Sequence, residues 1–193
     1  MTQYYYLVAS LPMLRPDDPP PLDSPAFLEL CREQAAAEDH ALLARISLDS
    51  LELLPGDPAA WGDYALWETA LRDELAVQRA QRLGLDPEPF LRPAPFFAGL
   101  TAVAREALGA GTPREVEAAL DRRRWSRLDE IETGTQFSLG RLVVYRLKLL
   151  LLERRQRFQP EPGRQAFQNE FSRILDGASA WTDAVAGRPG MET

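Results

Sequence analysis

The residues able to do covalent or metal chemistry are few. Cys31 is the only cysteine and His40 the only histidine of the 193-residue chain. One thiol cannot close an internal disulfide, and a zinc site of the usual kind needs three or four Cys/His ligands. A Ser-His-Asp triad would have to use His40, which sits in the polar run Ala37-Glu38-Asp39-His40 and reads as a solvated helix residue. Carboxylates are plentiful, at Asp73-Glu74, Asp129-Glu130 and Glu132, but a carboxylate metal site needs several helices to converge. The Glu-x-x-His signature of di-iron bundles is absent. Gly109-Ala110-Gly111-Thr112 lacks the Gly-Lys-Ser/Thr ending of a phosphate loop and reads as a helix-to-helix turn. No cofactor, metal, catalytic residue or nucleotide hydrolysis is expected.

Two features point to contacts instead. The cluster Arg122-Arg123-Arg124-Trp125-Ser126-Arg127 joins residue types enriched at protein interfaces, and arginine with tryptophan can also grip RNA. Asp121, Asp129, Glu130 and Glu132 flank it and can form helical ion pairs, so a solvated or internally paired face is the competing reading. Arg122, Arg123, Arg124 and Arg127 are the candidates to meet an acidic partner, with Trp125 as an anchor where it is exposed. Phe167, Phe171, Ile174, Ala178, Trp181 and Val185 recur at heptad-like spacing, which suits packing on the chain's own core or on a partner helix.

Charge sharpens this picture. Net charge is −7, with −9 on residues 1–96 and +2 on 97–193, and Lys148 is the only lysine. An acidic total argues against nucleic acid, which wants a basic face. The start of the chain has no basic segment ahead of its short apolar run, and the densest apolar stretch, Leu142 to Leu152, contains Arg146 and Lys148. Neither reads as a signal peptide or a membrane span. A cytoplasmic protein is expected, reaching a membrane only through a partner complex.

Helices must position these residues. Composition is globular, 45% hydrophobic and 26% charged. The aromatic segment Tyr4 to Leu14 can be a strand or a helix, and a proline-rich acidic loop follows it. Ser24-Pro25 reads as a cap followed by proline in the first turn, opening a helix to about Ala36. A short helix spans about Glu38 to Ile46. Asp57-Pro58 repeats the cap-proline pattern, and its helix ends at Gly84, with Ala60, Tyr64, Trp67, Leu71 and Leu75 as the buried stripe. After a second proline-rich break at 85–95, a helix covers Phe96 to Leu108. Thr112-Pro113-Arg114-Glu115 is a capping box for a helix to about Ile131. Ser138 to Gln159 is the most apolar helix, and a last one starts near Pro162. The expected fold is all-α: one multi-helix domain over 1–186, with a loose tail at 187–193. Trp67, Leu71, Leu75, Leu142, Val143, Leu147 and Leu150 are expected to share one core.

Three segments together carry a resemblance: YYYLVASLP at Tyr4–Pro12, WETALRDELA at Trp67–Ala76, and WSRLDEIETGTQFSLGRLVVYRLKLLLLERRQRF at Trp125–Phe158. They resemble an uncharacterised bacterial family encoded within V-type (A/V-type) ATPase operons, and the resemblance spans most of residues 1–176. That family is distantly similar to the C (or d) subunit of the ion-transporting rotary ATPases, an all-helical socket between central shaft and membrane rotor ring. This chain is too short for the three helical modules of a full C subunit. The resemblance implies a non-catalytic subunit or an assembly or accessory factor whose partners are ATPase subunits. It carries no catalytic residue. A carboxylate-based helical enzyme and a helical adaptor unrelated to ATPases are the alternatives.

Overall fold

The structure, a computed structural model, describes residues 3–157. Met1–Glu153 form one compact unit, and Arg154–Thr193 a second, of which only the last turn of a helix is described. The helix expected near Pro162, the heptad-like positions Phe167 to Val185 and the tail 187–193 lie outside the described residues.

The fold is all-α. Its helices are α1 (Tyr5–Ser10), α2 (Ser24–Gln34), α3 (Ala37–Arg45), α4 (Ala59–Leu83), α5 (Leu100–Leu108), α6 (Pro113–Glu132) and α7 (Leu139–Arg157), with a 3₁₀ turn at Glu88–Phe90. The aromatic start, undecided by sequence, is helical in α1. Before it, Gln3 makes an isolated antiparallel bridge to Ser138, and Tyr4 N–H donates to the Phe137 carbonyl at 2.7 Å.

Local chemistry accounts for most boundaries. Thr112 and Glu115 form the reciprocal capping box that opens α6. Gly84 closes α4 at φ +67°, a left-handed geometry that disfavours a β-carbon. Two expected caps are corrected. The cap of α2 is Asp23, whose carboxylate accepts from Ala26 N–H at 2.9 Å, and Ser24 is already helical. Asp57 does not cap α4; its carboxylate accepts from Arg45 at 2.6 Å and from Leu54 N–H at 2.8 Å, and Pro58 stands at the N-cap. The helix expected from Phe96 begins only at Leu100, because Gly99 at φ +86° turns the chain in front of it.

The core is divided, which corrects the single-core expectation. One apolar cluster gathers α1, α2, α3, the start of α4, the end of α6 and α7, around Leu7, Phe27, Leu43, Trp61, Tyr64, Leu128 and Leu147. The other gathers the remainder of α4 with α5 and the start of α6, around Leu71, Leu75, Leu100, Ala104 and Leu120. α4, about 37 Å long at 1.5 Å per residue, serves both. The stripe Ala60, Tyr64, Trp67, Leu71 and Leu75 is buried as expected, but Ala60 and Tyr64 lie in the first cluster and the other three in the second. Leu142, Val143 and Leu147 are fully buried, whereas Leu150 is only half-buried.

Cys31, Tyr145 and Tyr4 are weak acids within the first cluster. Burial pushes both the Cys31 thiol and the Tyr145 phenol up to about 12. Burial, with a hydrogen bond to Asp39, also raises Tyr4. Each acid is harder to ionise folded than unfolded. For the Cys31 thiol and the Tyr145 phenol the stabilising contribution is therefore complete below the unfolded values, near 9 and 10, and is lost as pH rises toward 12; Tyr4 acts in the same direction. Thermal unfolding should shift steeply downward between pH 9 and 12. Cys31 should resist thiol reagents at pH 8 until denaturant is added; rapid labelling of the native protein would contradict this burial.

Candidate functional site

The arginine cluster does not form one surface. α6 sets Leu120, Arg124 and Leu128 four residues apart on its inward stripe, and all three are buried. Arg124 is 5% exposed and makes a two-pronged pair with Glu68 of α4, itself 1% exposed: Nε and Nη2 each donate at 3.0 Å. Its Nη1 reaches Asp121 at 3.0 Å and Glu117 at 3.6 Å. Glu68 also accepts from Arg72 at 2.9 Å, and Arg72 in turn donates to the Leu48 carbonyl. Burial works against the Arg124 charge, but the Glu68 carboxylate, helped by Tyr64 and Asp121, more than offsets it and holds the guanidinium ionised. On both helices this pair stands where residues of one apolar cluster give way to those of the other.

Trp125 is also inside, at 9% exposure, so it is not an exposed anchor. Lys148 of α7 lies 5.2 Å from its ring centroid. The Lys148 ammonium is held by Asp129 at 2.6 Å and Glu132 at 2.5 Å, and Glu132 also pairs with Arg141. Arg127 pairs with Glu130 at 2.8 Å and lies 5.9 Å from the Phe97 ring centroid. Flanking carboxylates do satisfy part of the cluster, as Asp121 and Glu130 show, while Asp129 and Glu132 serve α7 instead. Arg122 and Arg123 remain exposed. Arg123 makes a surface pair with Glu106 of α5 at 2.8 Å.

The other chemistry-bearing residues do not converge. Among the described residues no three His, Cys, Asp or Glu side chains are placed to hold a metal ion. Cys31 is buried on α2 and His40 half-buried on α3. Asp73 accepts from Arg92 N–H at 3.1 Å. Gly109 to Thr112 make the turn between α5 and α6, as read from sequence. A buried cation that sequence reasoning passed over is Arg146 of α7, whose Nη1 donates to the Ser24 hydroxyl. The Glu153 carboxylate accepts from both the amide and the hydroxyl of Ser24 at 2.6 Å, which ties α7 to the first turn of α2. Burial depresses the Arg146 pKa, with Glu153 opposing. These are bracing contacts between helices.

Exposed chemistry lies elsewhere. Leu83, Leu85, Phe90, Leu91 and Phe96 are all exposed, the first at 72%, Phe90 at 61% and Phe96 at 89%. The segment carrying them is pinned rather than loose. Leu85 N–H donates to the Ala80 carbonyl, Asp86 accepts from Glu88 N–H, and Arg92 is held by Asp73. Beside Phe96, Phe97 packs against the second cluster. Tyr5 and Phe137 form a second exposed pair, with ring centroids 4.8 Å apart, and Tyr6, next to Tyr5 in sequence, is exposed as well. A groove of about 220 Å³ opens between α5 and α6, lined by Val103, Glu106 and Ala107 of α5 and Ala119, Arg122, Arg123 and Ser126 of α6. Among the described residues no helix is long and apolar enough to cross a membrane. No protein-family model, curated protein or solved structure matches this chain.

Proposed function

We propose that this protein is a non-catalytic, cytoplasmic subunit or accessory factor of a bacterial V-type ATPase, working through protein–protein contacts. The observation that carries a contact role is the pinned segment from the last residue of α4 to the start of α5. It holds Leu83, Leu85, Phe90, Leu91 and Phe96 exposed within fourteen residues. Large apolar side chains grouped on a surface leave water when a partner covers them, and an ordered segment spends little conformational entropy on docking. The ATPase assignment itself rests on the resemblance carried by Tyr4–Pro12, Trp67–Ala76 and Trp125–Phe158. The ion-pair networks around Glu68 and Lys148 suit a rigid spacer, because they brace α4, α6 and α7 against one another.

The test is co-purification. Tagged protein expressed in its native host should bring down V-type ATPase subunits, and the Phe90→Asp/Phe96→Asp variant should recover at least tenfold less while unfolding at the same temperature. Recovery of no ATPase subunit would remove the assignment. Undiminished recovery by the variant would move the contact away from this segment.

A further inference from the structure

We propose that the groove between α5 and α6 is the seat for an acidic amphipathic helix of a partner protein, an inference that rests on the contact role above. α5 and α6 form a helical hairpin joined by Gly109–Thr112. Their facing sides leave a channel whose floor is Val103, Ala107 and Ala119. Two alanines and a valine keep that floor low, and about 220 Å³ gives room for an anchoring apolar side chain of a third helix, the element on which helix-in-groove recognition rests. α6 contributes Ala119, Arg122, Arg123 and Ser126, spaced by three, one and three residues along one face of the helix.

Charge selects the occupant. Arg122 is exposed and forms no ion pair among the described residues. Arg123 has only Glu106, and both side chains of that pair are exposed, so the pair is worth little and exchanges readily for a partner's carboxylate. Two guanidinium forks beside an apolar floor match a helix with leucine-like residues on one face and glutamate or aspartate on its flank, since the forks favour planar carboxylates. The Ser126 hydroxyl is directed to the Arg122 carbonyl at 3.1 Å and leaves its oxygen free to accept. Arg124, Trp125 and Arg127 of the same cluster play no part: two are buried, and Arg127 is tied to Glu130 and Phe97.

The test uses the full chain and a synthetic helix-forming peptide with leucine on one face and glutamate along both flanks. A second peptide has lysine in place of every glutamate. Binding is followed by fluorescence anisotropy at two salt concentrations. The expected result is saturable binding of the glutamate peptide, weakened by salt, and at least tenfold weaker binding of the lysine peptide. Arg122→Glu/Arg123→Glu should lower affinity at least tenfold. So should Ser126→Trp, which fills the channel without changing charge or touching the core. Both variants are checked by unchanged thermal unfolding. No saturable binding overturns the proposal, as does equal binding of the two peptides or binding indifferent to both variants. A single-stranded RNA oligonucleotide that displaces the glutamate peptide at lower concentration would identify a different occupant and overturn it too. The measurement needs no ATPase subunit, so its failure is separable from failure of the co-purification above.

Discussion

Glu68→Ala is expected to cost about 3–5 kcal/mol of stability, among the largest effects of any single substitution in this chain. The variant leaves the Arg124 guanidinium buried with its two-pronged partner gone and only Asp121 and Glu117 beside it. A buried charge that loses its counter-ion still carries the desolvation penalty that the pair had offset. Replacing both partners, as Glu68→Leu/Arg124→Leu, should recover much of the loss, because an apolar pair needs no such compensation. Chemical denaturation of the two single variants and the double variant measures this directly. A Glu68→Ala variant within about 0.5 kcal/mol of the parent, the range of ordinary surface changes, would mean that Arg124 reaches water and the pair is not buried.

Leu147→Ala should cost about 2–5 kcal/mol, through lost burial and the cavity left in the first apolar cluster. Leu147 is fully buried on α7, with Leu142, Val143, Val144 and Leu149 also at zero exposure around that helix. Three positions on, Leu150 is half-buried, and Leu150→Ala should cost clearly less, because a side chain at the rim forfeits less burial and leaves a hollow that water fills. The denaturation midpoints of the two variants make the comparison. Equal losses would show that α7 buries its whole circumference.

The two predictions probe different parts of the design. α7 is held by apolar burial on nearly every side, with Arg146 and Lys148 carrying their charges to Ser24 at the edge and to Asp129 and Glu132. The α4–α6 crossing is held by a charge pair instead. Such a pair adds little net stability over an apolar one, but opposite charges at one crossing penalise any register that separates them. That gives the long α4 a fixed alignment against α6 at the junction of the two clusters. A rigid alignment there also fixes the α5–α6 hairpin, and with it the groove and the pinned apolar segment.

Much of the helical framework was written locally. The reciprocal cap at Thr112 and Glu115, the left-handed glycine at 84 and the stripe from Ala60 to Leu75 depend on residues within one or two turns of each other. That is why spacing and turn chemistry could locate α4 and α6. The absence of alternating strand patterns likewise decided the fold class, since helical periodicity is a property of each segment by itself. Local signals were weaker where several groups compete for one role. Asp23 rather than Ser24 caps α2 because Glu153, far away in sequence, takes the Ser24 amide and hydroxyl. Asp57 gives up the cap of α4 because Arg45 claims its carboxylate.

The fate of the arginine cluster was decided only in three dimensions. Arg124 lies four residues from both Leu120 and Leu128, and Glu68 lies four from Tyr64 and three from Leu71, so each charge stood in an apolar stripe of its own helix. Those two facts were legible, but their pairing was not. Nothing in the order of residues says that position 68 faces position 124, fifty-six residues away. Packing of α4 on α6 made that choice, Lys148 of α7 covered Trp125, and Arg122 and Arg123 were left to the surface. Composition and spacing thus determined most of the helices, though not α1 or the start of α5, and which stripes seek cover. Which charges are consumed inside, and which remain to meet a partner, is a property of the crossings between helices, because burial and pairing are settled only when two distant stripes meet.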